Sequence, residues 1–273
     1  MTALLALASA ATFGVADFCG GVATRNASVV AVTLISNLSG AVVAAILFAI
    51  VGGEWAAATV AWSVVGGVCG LAGLVLLYMG LAAGPNRLVS PLSAVVSAIL
   101  PILIGVTLGE RPSTIAVAGL AIAPLAVWLL AGGEFALGGA QRKSIALAAS
   151  GGLGFGLFYV LISQVPAGSG AVPLMVVRVV SVGILVVAGL IYRPKFPTAA
   201  GTSVAIAAGS MDMTANGLFL WATRSGDLSI VGALVSLFPA TTVLLAVLTL
   251  GERLSRSQVY GLGLALVAAG LLS

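Results

Sequence analysis

Leu108-Gly109-Glu110-Arg111-Pro112-Ser113 returns 142 positions later as Leu250-Gly251-Glu252-Arg253-Leu254-Ser255. The chain has 273 residues but only eleven Lys/Arg and seven Asp/Glu, so an adjacent acid and base recurring in one setting is a demanding coincidence. The same offset sets Gly119-Leu120 on Gly261-Leu262 and Leu129-Leu130 on Leu271-Leu272. Upstream it sets Gly84 on Gly226, Leu76 on Leu218, and Phe13-Gly14 on Phe155-Gly156. Leu and Gly matches alone would carry little weight; the charged motif sets the register. The chain therefore reads as two copies, residues 1–132 and 143–273.

The material between these motifs is that of a membrane. Apolar residues of the AVILMFWYC set make up 61% and 36 glycines are added to them, while charged residues are 7%. Soluble domains average about 45–50% apolar with about 25% charged. With a mean hydropathy of +1.25, the chain has too little polar surface to face water. Its basic residues are scattered singly or in pairs, with no run that would track nucleic acid. Cys19 and Cys69 fall in apolar stretches and make no disulfide framework.

A bilayer core of about 30 Å takes roughly 20 apolar residues per helix. Runs of that kind, punctuated by Gly, Pro and charge, predict ten spans: 2–22, 29–51, 58–82, 88–108, 113–131, 144–163, 171–192, 199–223, 228–250 and 255–272. Ala8-Ser9-Ala10 resembles a signal-peptide cleavage site, but no basic segment precedes it and the apolar run continues, so the first span is expected to be retained. Loops after odd-numbered spans hold Arg25, Arg87, Arg142, Lys143, Arg193, Lys195, Arg253 and Arg256; loops after even-numbered spans hold only Arg111 and Arg224. A missed span would scramble this alternation. The excess favours cytoplasmic odd loops, with both termini outside.

Five spans per copy is an odd number, so the second copy enters the membrane upside down relative to the first. The expected fold is an all-α integral membrane protein whose ten transmembrane helices form two inverted-topology five-helix repeats. That architecture belongs to secondary transporters, which bind substrate near the midplane between repeats. A duplicated scaffold without transport is the bland alternative.

The chain resembles the EamA-type branch of the drug/metabolite transporter superfamily. The resemblance rests on Leu-Gly-Glu-Arg between the fourth and fifth spans of each half, at 108–111 and 250–253. It rests also on the glycine-rich last span of each half and on Leu81-Ala82-Ala83-Gly84-Pro85 leading through Ser90-Pro91 into the fourth span. It implies a carrier of small metabolites working by proton coupling, exchange or facilitated export, and export by analogy. Relatives are usually drawn with both termini in the cytoplasm, opposite to the orientation favoured by these charges.

Only Asp17, Arg178 and Asp212 place charge well within spans, where an ionisable group is costly and faces a cavity or a partner. Arg178 lies fifteen residues before Arg193 and Asp212 fifteen after Pro197, so both stand about 22 Å from the loop between spans seven and eight. An ion pair between them, or a substrate shared by them, follows from that common depth. Asn216 is one turn from Asp212 on the same face. Asp212 and Asn216 suit an ammonium or hydroxyl, and Arg178 suits a carboxylate; a closed pair that only fixes two helices is the competing reading. With histidine absent, Asp212 and Asp17 are the buried carboxylates open to protons as a coupling ion. Asp17 is either a gate residue or a satisfied helix-end carboxylate, with Ser36 and Asn37 at similar depth. Tyr159 is its repeat counterpart. Tyr78 and Trp221 are candidates for stacking on a ligand or for interfacial anchoring.

Gly109-Glu110-Arg111 and Gly251-Glu252-Arg253 sit at helix junctions, one at each face, as alternate latches or as structural turns in which Glu offsets a helix dipole and Arg meets headgroups. Pro91, Pro101 and Pro239 are expected to bend spans four and nine. Zinc and Ser-His intramembrane enzymes need histidine, and there is no Walker A lysine, so neither an enzyme, a metal site, a cofactor nor ATP-driven pumping is expected. A channel, with charged rings or filter carbonyls, fits three asymmetric charges poorly. The sequence thus predicts a multi-pass carrier of the cytoplasmic membrane, a monomer or homodimer in lipid, for a small polar or amphipathic metabolite.

Overall fold

The outside of this protein is greasier than its inside is bulky. On one helix, Leu38, Val42, Ile46 and Ile50 recur every fourth residue, and all four are exposed. Many interior positions are small instead: Ala6, Ala31, Ala44, Ala205 and Ala208 are wholly or almost wholly buried. Water would invert that pattern. In lipid, where helices gain nothing by hiding leucine, small residues at contacts let backbones approach.

The computed structural model describes all residues except 26, 84–85, 131–138, 251–253 and 273. Of residues 86–88, 90–91, 139–141 and 250 only the backbone is described. Apart from one 3-10 turn, Ala167–Ser169, the elements are α-helices: α1 Thr2–Ala23, α2 Val29–Val51, α3 Ala57–Ala83, α4 Asn86–Thr107, α5 Thr114–Leu130, α6 Gly139–Ser163, α7 Val172–Tyr192, α8 Ala199–Thr223, α9 Leu228–Val235, α10 Phe238–Leu250 and α11 Arg256–Leu272. Helices are the expected answer, because hydrocarbon offers the backbone no other hydrogen-bond partner. By length and apolar composition six segments can cross a membrane: α1, α2, α3, residues 142–163 of α6, α7, and 228–249 across α9 and α10. Leu92–Thr107, α5 and α11 are apolar but shorter. The 25-residue α8 is long enough, but carries Asp212, Asn216 and several Ser and Thr that lower its hydropathy.

The ninth expected span, 228–250, is corrected to two helices. The ladder stops at Ser236-Leu237, and Ser236 Oγ closes onto the carbonyl of Ala233 at 2.7 Å. Pro239 is the cause, since its missing N–H cannot continue the ladder and its ring clashes with the preceding turn. In α4 the helix runs on through Pro91 and Pro101 without a break. Pro101 withdraws the donor that Ser97 O would have met, and Gly156 of α6 comes up against that carbonyl, leaving only 3.0 Å for a Cβ. Pro101 itself fills the space beside Gly232 of α9. The side chain of Pro91 lies outside the described residues.

The most extensive packings are α1 on α8, α3 on α6, α5 on α11 and α4 on α6. At the α5–α11 seam, Gly119 meets Leu271 and Leu272, while Gly261 meets Ala126, Leu129 and Leu130. The start of each helix lies on the end of the other, so the two are antiparallel. In the center, α2, α7 and α8 converge. Gly209 presses on the Ser36 carbonyl, and Ser36 Oγ and Ser39 Oγ donate to Ala205 O and Ile206 O, both at 3.0 Å. This tight approach brings the polar residues of α2 and α8 against α7.

Candidate functional site

Arg178 enters from α7 between α2 and α8. Its Nη2 pairs with Asp212 Oδ2, and its Nη1 donates to Asn37 Oδ1 at 2.7 Å. The arginine side chain is 6% exposed and the aspartate 19%, so the pair is shielded from solvent on the arginine side and partly open on the other. Asn37 is itself oriented by donating to Thr33 O at 2.9 Å. One turn along α8, Asn216 Nδ2 donates to Asp212 O at 2.7 Å and to Asp212 Oδ2 at 3.2 Å. Two carbonyl-type oxygens at Nδ2 decide which way the amide faces, and Asn216 Oδ1 is left buried with no donor among the described residues. A desolvated ion pair is held best when its remaining atoms are hydrogen-bonded; here two asparagines do that, while Arg178 Nε is buried with no acceptor among the described residues.

The cluster forms one wall of a cavity with about 400 Å³ of unfilled space, its open side included. The facing wall is aromatic: Phe13 of α1 and Phe155, Phe158 and Tyr159 of α6. Tyr159 is edge-on to Phe13 at 6.2 Å and to Phe158 at 5.6 Å, and tilted on Phe219 at 4.6 Å. A concave, mostly apolar space with a few converging polar groups is the usual form of a small-molecule site.

Of the residues singled out in the sequence, Arg178, Asp212, Asn216, Asn37 and Tyr159 meet at this cavity. Asp17, Tyr78 and Trp221 are not in its lining. Asp17 is half-buried, and its charge, like that of Asp212, acts on both Tyr78 and Tyr159. Ser36 and Asn37, expected beside it, donate to Ala205 O and Thr33 O. Tyr78 does not stack on anything in the cavity, because its hydroxyl is driven against Gly20 of α1 in the core. Trp221 is half-exposed, with its ring edge near Gly217. The residues that sequence reasoning missed are the phenylalanines. Their signal was present, since Phe13-Gly14 and Phe155-Gly156 were matched across the repeat, yet phenylalanine in a span reads as lipid-facing by default.

The Gly-Glu-Arg turn of the first half takes a defined form. Gly109 has φ +94°, a conformation costly to any residue with a Cβ. Glu110 folds back over Gly105 and accepts from Leu228 N at 2.6 Å and Ser229 N at 3.0 Å. It thus caps the N-terminus of α9, a helix of the other half, where a carboxylate meets both unpaired N–H groups and the positive end of the dipole. The dipole reading holds with a different helix from the neighbouring α5. Arg111 is exposed. Gly251, Glu252 and Arg253 lie outside the described residues.

Other loops on the side of Glu110 are stitched together as well. Ala171 N donates to Gly52 O at 2.8 Å, Glu54 N to Gly168 O at 3.0 Å and Arg224 Nη2 to Gly170 O at 2.8 Å. Burial pulls the Arg224 guanidinium pKa below its usual value. Thr2 Oγ1 ties the N-terminus to Ser225 O at 2.9 Å.

Comparison with known proteins supplies two findings. The family model described as "EamA-like transporter family" matches residues 142–273. A solved crystal structure of a protein 17% identical in sequence superimposes with a TM-score of 0.76, covering 99% of this chain and 95% of that one; at that identity the likeness is one of fold. No curated protein sequence matches.

Proposed function

The chain belongs, through residues 142–273, to the EamA-like transporter family, and we propose that it is a secondary carrier of a small polar or amphipathic metabolite. Membership of the drug/metabolite transporter superfamily fits both the family match and the fold. In this reading residues 1–132 and 143–273 are inverted repeats of five crossings each, with α9 and α10 together making one crossing. What supports the inversion is the reciprocal seam, where residues matched at an offset of 142 meet one another end to end: Gly119 on Leu271 and Leu272, Gly261 on Leu129 and Leu130. Two copies lying antiparallel along that seam are related by an axis in the membrane plane, the arrangement that lets a central site open to alternate sides.

The observation that carries the carrier reading is the cavity itself. A half-open wall of Asp212, Asn216 and Asn37 faces a wall of rings, deep within the helices. A purely structural ion pair would be closed off on both sides, whereas Asp212 is partly open toward this space. The loop hydrogen bonds around Glu110, Gly52, Gly170 and Thr2 close one end, so we assign this conformation to the state shut on that side, which the charge distribution makes the outer one. Opening there requires α9 to leave Glu110 and to swing about Ser236-Leu237. The protein is then a multi-pass carrier of the cell membrane acting as an exporter, with Asp212 and Asp17 as carriers of a coupled proton.

The test is flux into proteoliposomes across a metabolite panel, with and without a proton gradient. A carrier gives saturable flux that Asp212→Asn abolishes. Flux linear in concentration would instead identify a channel, and absence of flux for every compound a scaffold.

A further inference from the structure

Resting on the reading of this cavity as the substrate site, we infer that the substrate it takes is an organic monocation, an amine with an apolar or aromatic body, and neither a carboxylate nor a neutral polyol. The sequence offered Arg178 to a carboxylate. The structure withdraws that offer. Nη1 and Nη2 are engaged by Asn37 and Asp212, and the remaining nitrogen, Nε, lies against Gly40 of α2, where only 3.0 Å would be left for a Cβ. The guanidinium is therefore covered by backbone where it is unpaired and occupied where it faces other side chains. An anion would have to break the ion pair to reach it, leaving Asp212 uncompensated in a desolvated wall.

Beside the Ser181 hydroxyl and the covered Arg178 Nε, what the polar wall has to spare is acceptors. Among the described residues both side-chain hydrogen bonds to the Asp212 carboxylate fall on Oδ2, which leaves Oδ1 on the partly open side. Asn216 is about nine-tenths buried, and its Oδ1 has no donor. Both oxygens belong to residues one turn apart on α8 that line the same cavity. A buried acceptor without a donor costs about 1–3 kcal/mol, so a ligand that brings N–H groups recovers that cost on binding. The opposite wall chooses between donors. Ring faces carry negative charge and attract a cation within about 6 Å, whereas they do nothing comparable for a hydroxyl. Phe13, Phe155, Phe158 and Tyr159 bring such rings to the lining and also the apolar surface for the rest of the molecule. An ammonium between the two walls is flanked by Asp212 Oδ1, Asn216 Oδ1 and aromatic rings.

Three probes of equal shape decide the matter: 2-phenylethylamine, 2-phenylethanol and 3-phenylpropionate. Each is titrated calorimetrically against the full-length protein in nanodiscs, with empty nanodiscs subtracted. The amine should bind at least about tenfold more tightly than the alcohol, the acid least. Asn216→Leu should weaken the amine by about tenfold, the effect of one hydrogen bond to a charged group, and the alcohol by less, since it loses only a neutral hydrogen bond. A wild-type gel-filtration profile and thermal unfolding midpoint report that the variant is folded. Should Asn216→Leu not fold, Asn216→Asp serves, and it should tighten the amine alone. Equal or tighter binding of the alcohol or acid, amine binding indifferent to both Asn216 variants, or no amine binding at all would overturn the inference. Gly70→Ala, whose Cβ would crowd Phe158 at 2.9 Å, separates this from failure of the cavity reading. If it weakens whichever probe binds, the cavity stands as the site even where the preference for amines falls; if bound probe is indifferent to it, the site itself is elsewhere.

Discussion

The α5–α11 seam and the central cavity are both places where the two halves meet, and they treat the proposed repeat in opposite ways. At the seam, matched positions still meet: the side chains of Leu271 and Leu272 at Gly119, and the backbone of Leu129 and Leu130 at Gly261. At the cavity, position by position, the halves have parted. The offset of 142 sets Ser36 opposite Arg178, Gly70 opposite Asp212, Leu74 opposite Asn216 and Val179 opposite Asn37. The backbone contact beneath them has stayed: Gly67 lies on Val177 of α7 as Gly209 lies on Ser36 of α2. In the proposed inverted-repeat reading, the difference teaches that the shared backbone carries the architecture while a handful of side chains on α2, α7 and α8 carries the chemistry.

The largest effect is expected where that asymmetry is removed. Asp212→Leu leaves Arg178 buried without its counter-charge, a loss of about 3–5 kcal/mol, and the protein should fail to accumulate in membranes. Asp212→Asn keeps shape and a hydrogen bond to Arg178, so it should insert normally yet lose at least tenfold in flux. Immunoblotting of membranes beside a flux assay reads both. Wild-type flux from Asp212→Asn would reduce the cluster to a structural pair and leave the comparison without its functional half.

At the seam the two contacts differ in kind. Gly119→Leu drives a side chain against the side chains of Leu271 and Leu272, whereas Gly261→Leu drives one against the backbone of Ala126, Leu129 and Leu130. Overpacking costs about 1–3 kcal/mol, so thermal unfolding in detergent should fall for both and further for Gly261→Leu, with the affinity for any bound probe unchanged. Equal losses would show that the two leucine side chains are held as firmly as backbone.

How much of this was legible beforehand follows the same division. Backbone architecture writes itself into composition and spacing: the run lengths placed α2 and α8 at their observed ends, and one charged motif set the register of the halves. Depth along a helix was legible as well, because a rise of about 1.5 Å per residue put Arg178 level with Asp212. What depth cannot give is azimuth, the direction in which a side chain leaves its helix. Tyr78 and Trp221 were candidates for stacking on a ligand, but the first points into the core at Gly20 and the second stands half-exposed. For the same reason Phe155 and Phe158 passed as ordinary apolar residues, although α6 turns both onto α3, at Gly73 and Gly70, beside the cavity. Glu110 shows a third kind of blindness. Its motif was plain, yet the helix it caps lies 118 positions away in sequence, and a local reading offers only the helix next door.

The break between α9 and α10 gives a smaller test at the end of the bundle where Glu110 caps α9. Glu110→Gln keeps one acceptor oxygen but loses the charge and the second hydrogen bond to α9, a change of about 1–2 kcal/mol confined to that helix end. Amide exchange at Leu228 and Ser229 should quicken about tenfold, while exchange in α5 and α11 stays as it was. If α9 is the element that swings to open this face, the variant should also spend more time open, visible as faster labelling of a cysteine introduced at Ser229, which is buried in the closed form. Unchanged exchange at both amides would mean that α9 is held by its packing on Pro101 alone, and the shut end of the cavity would then need a different latch.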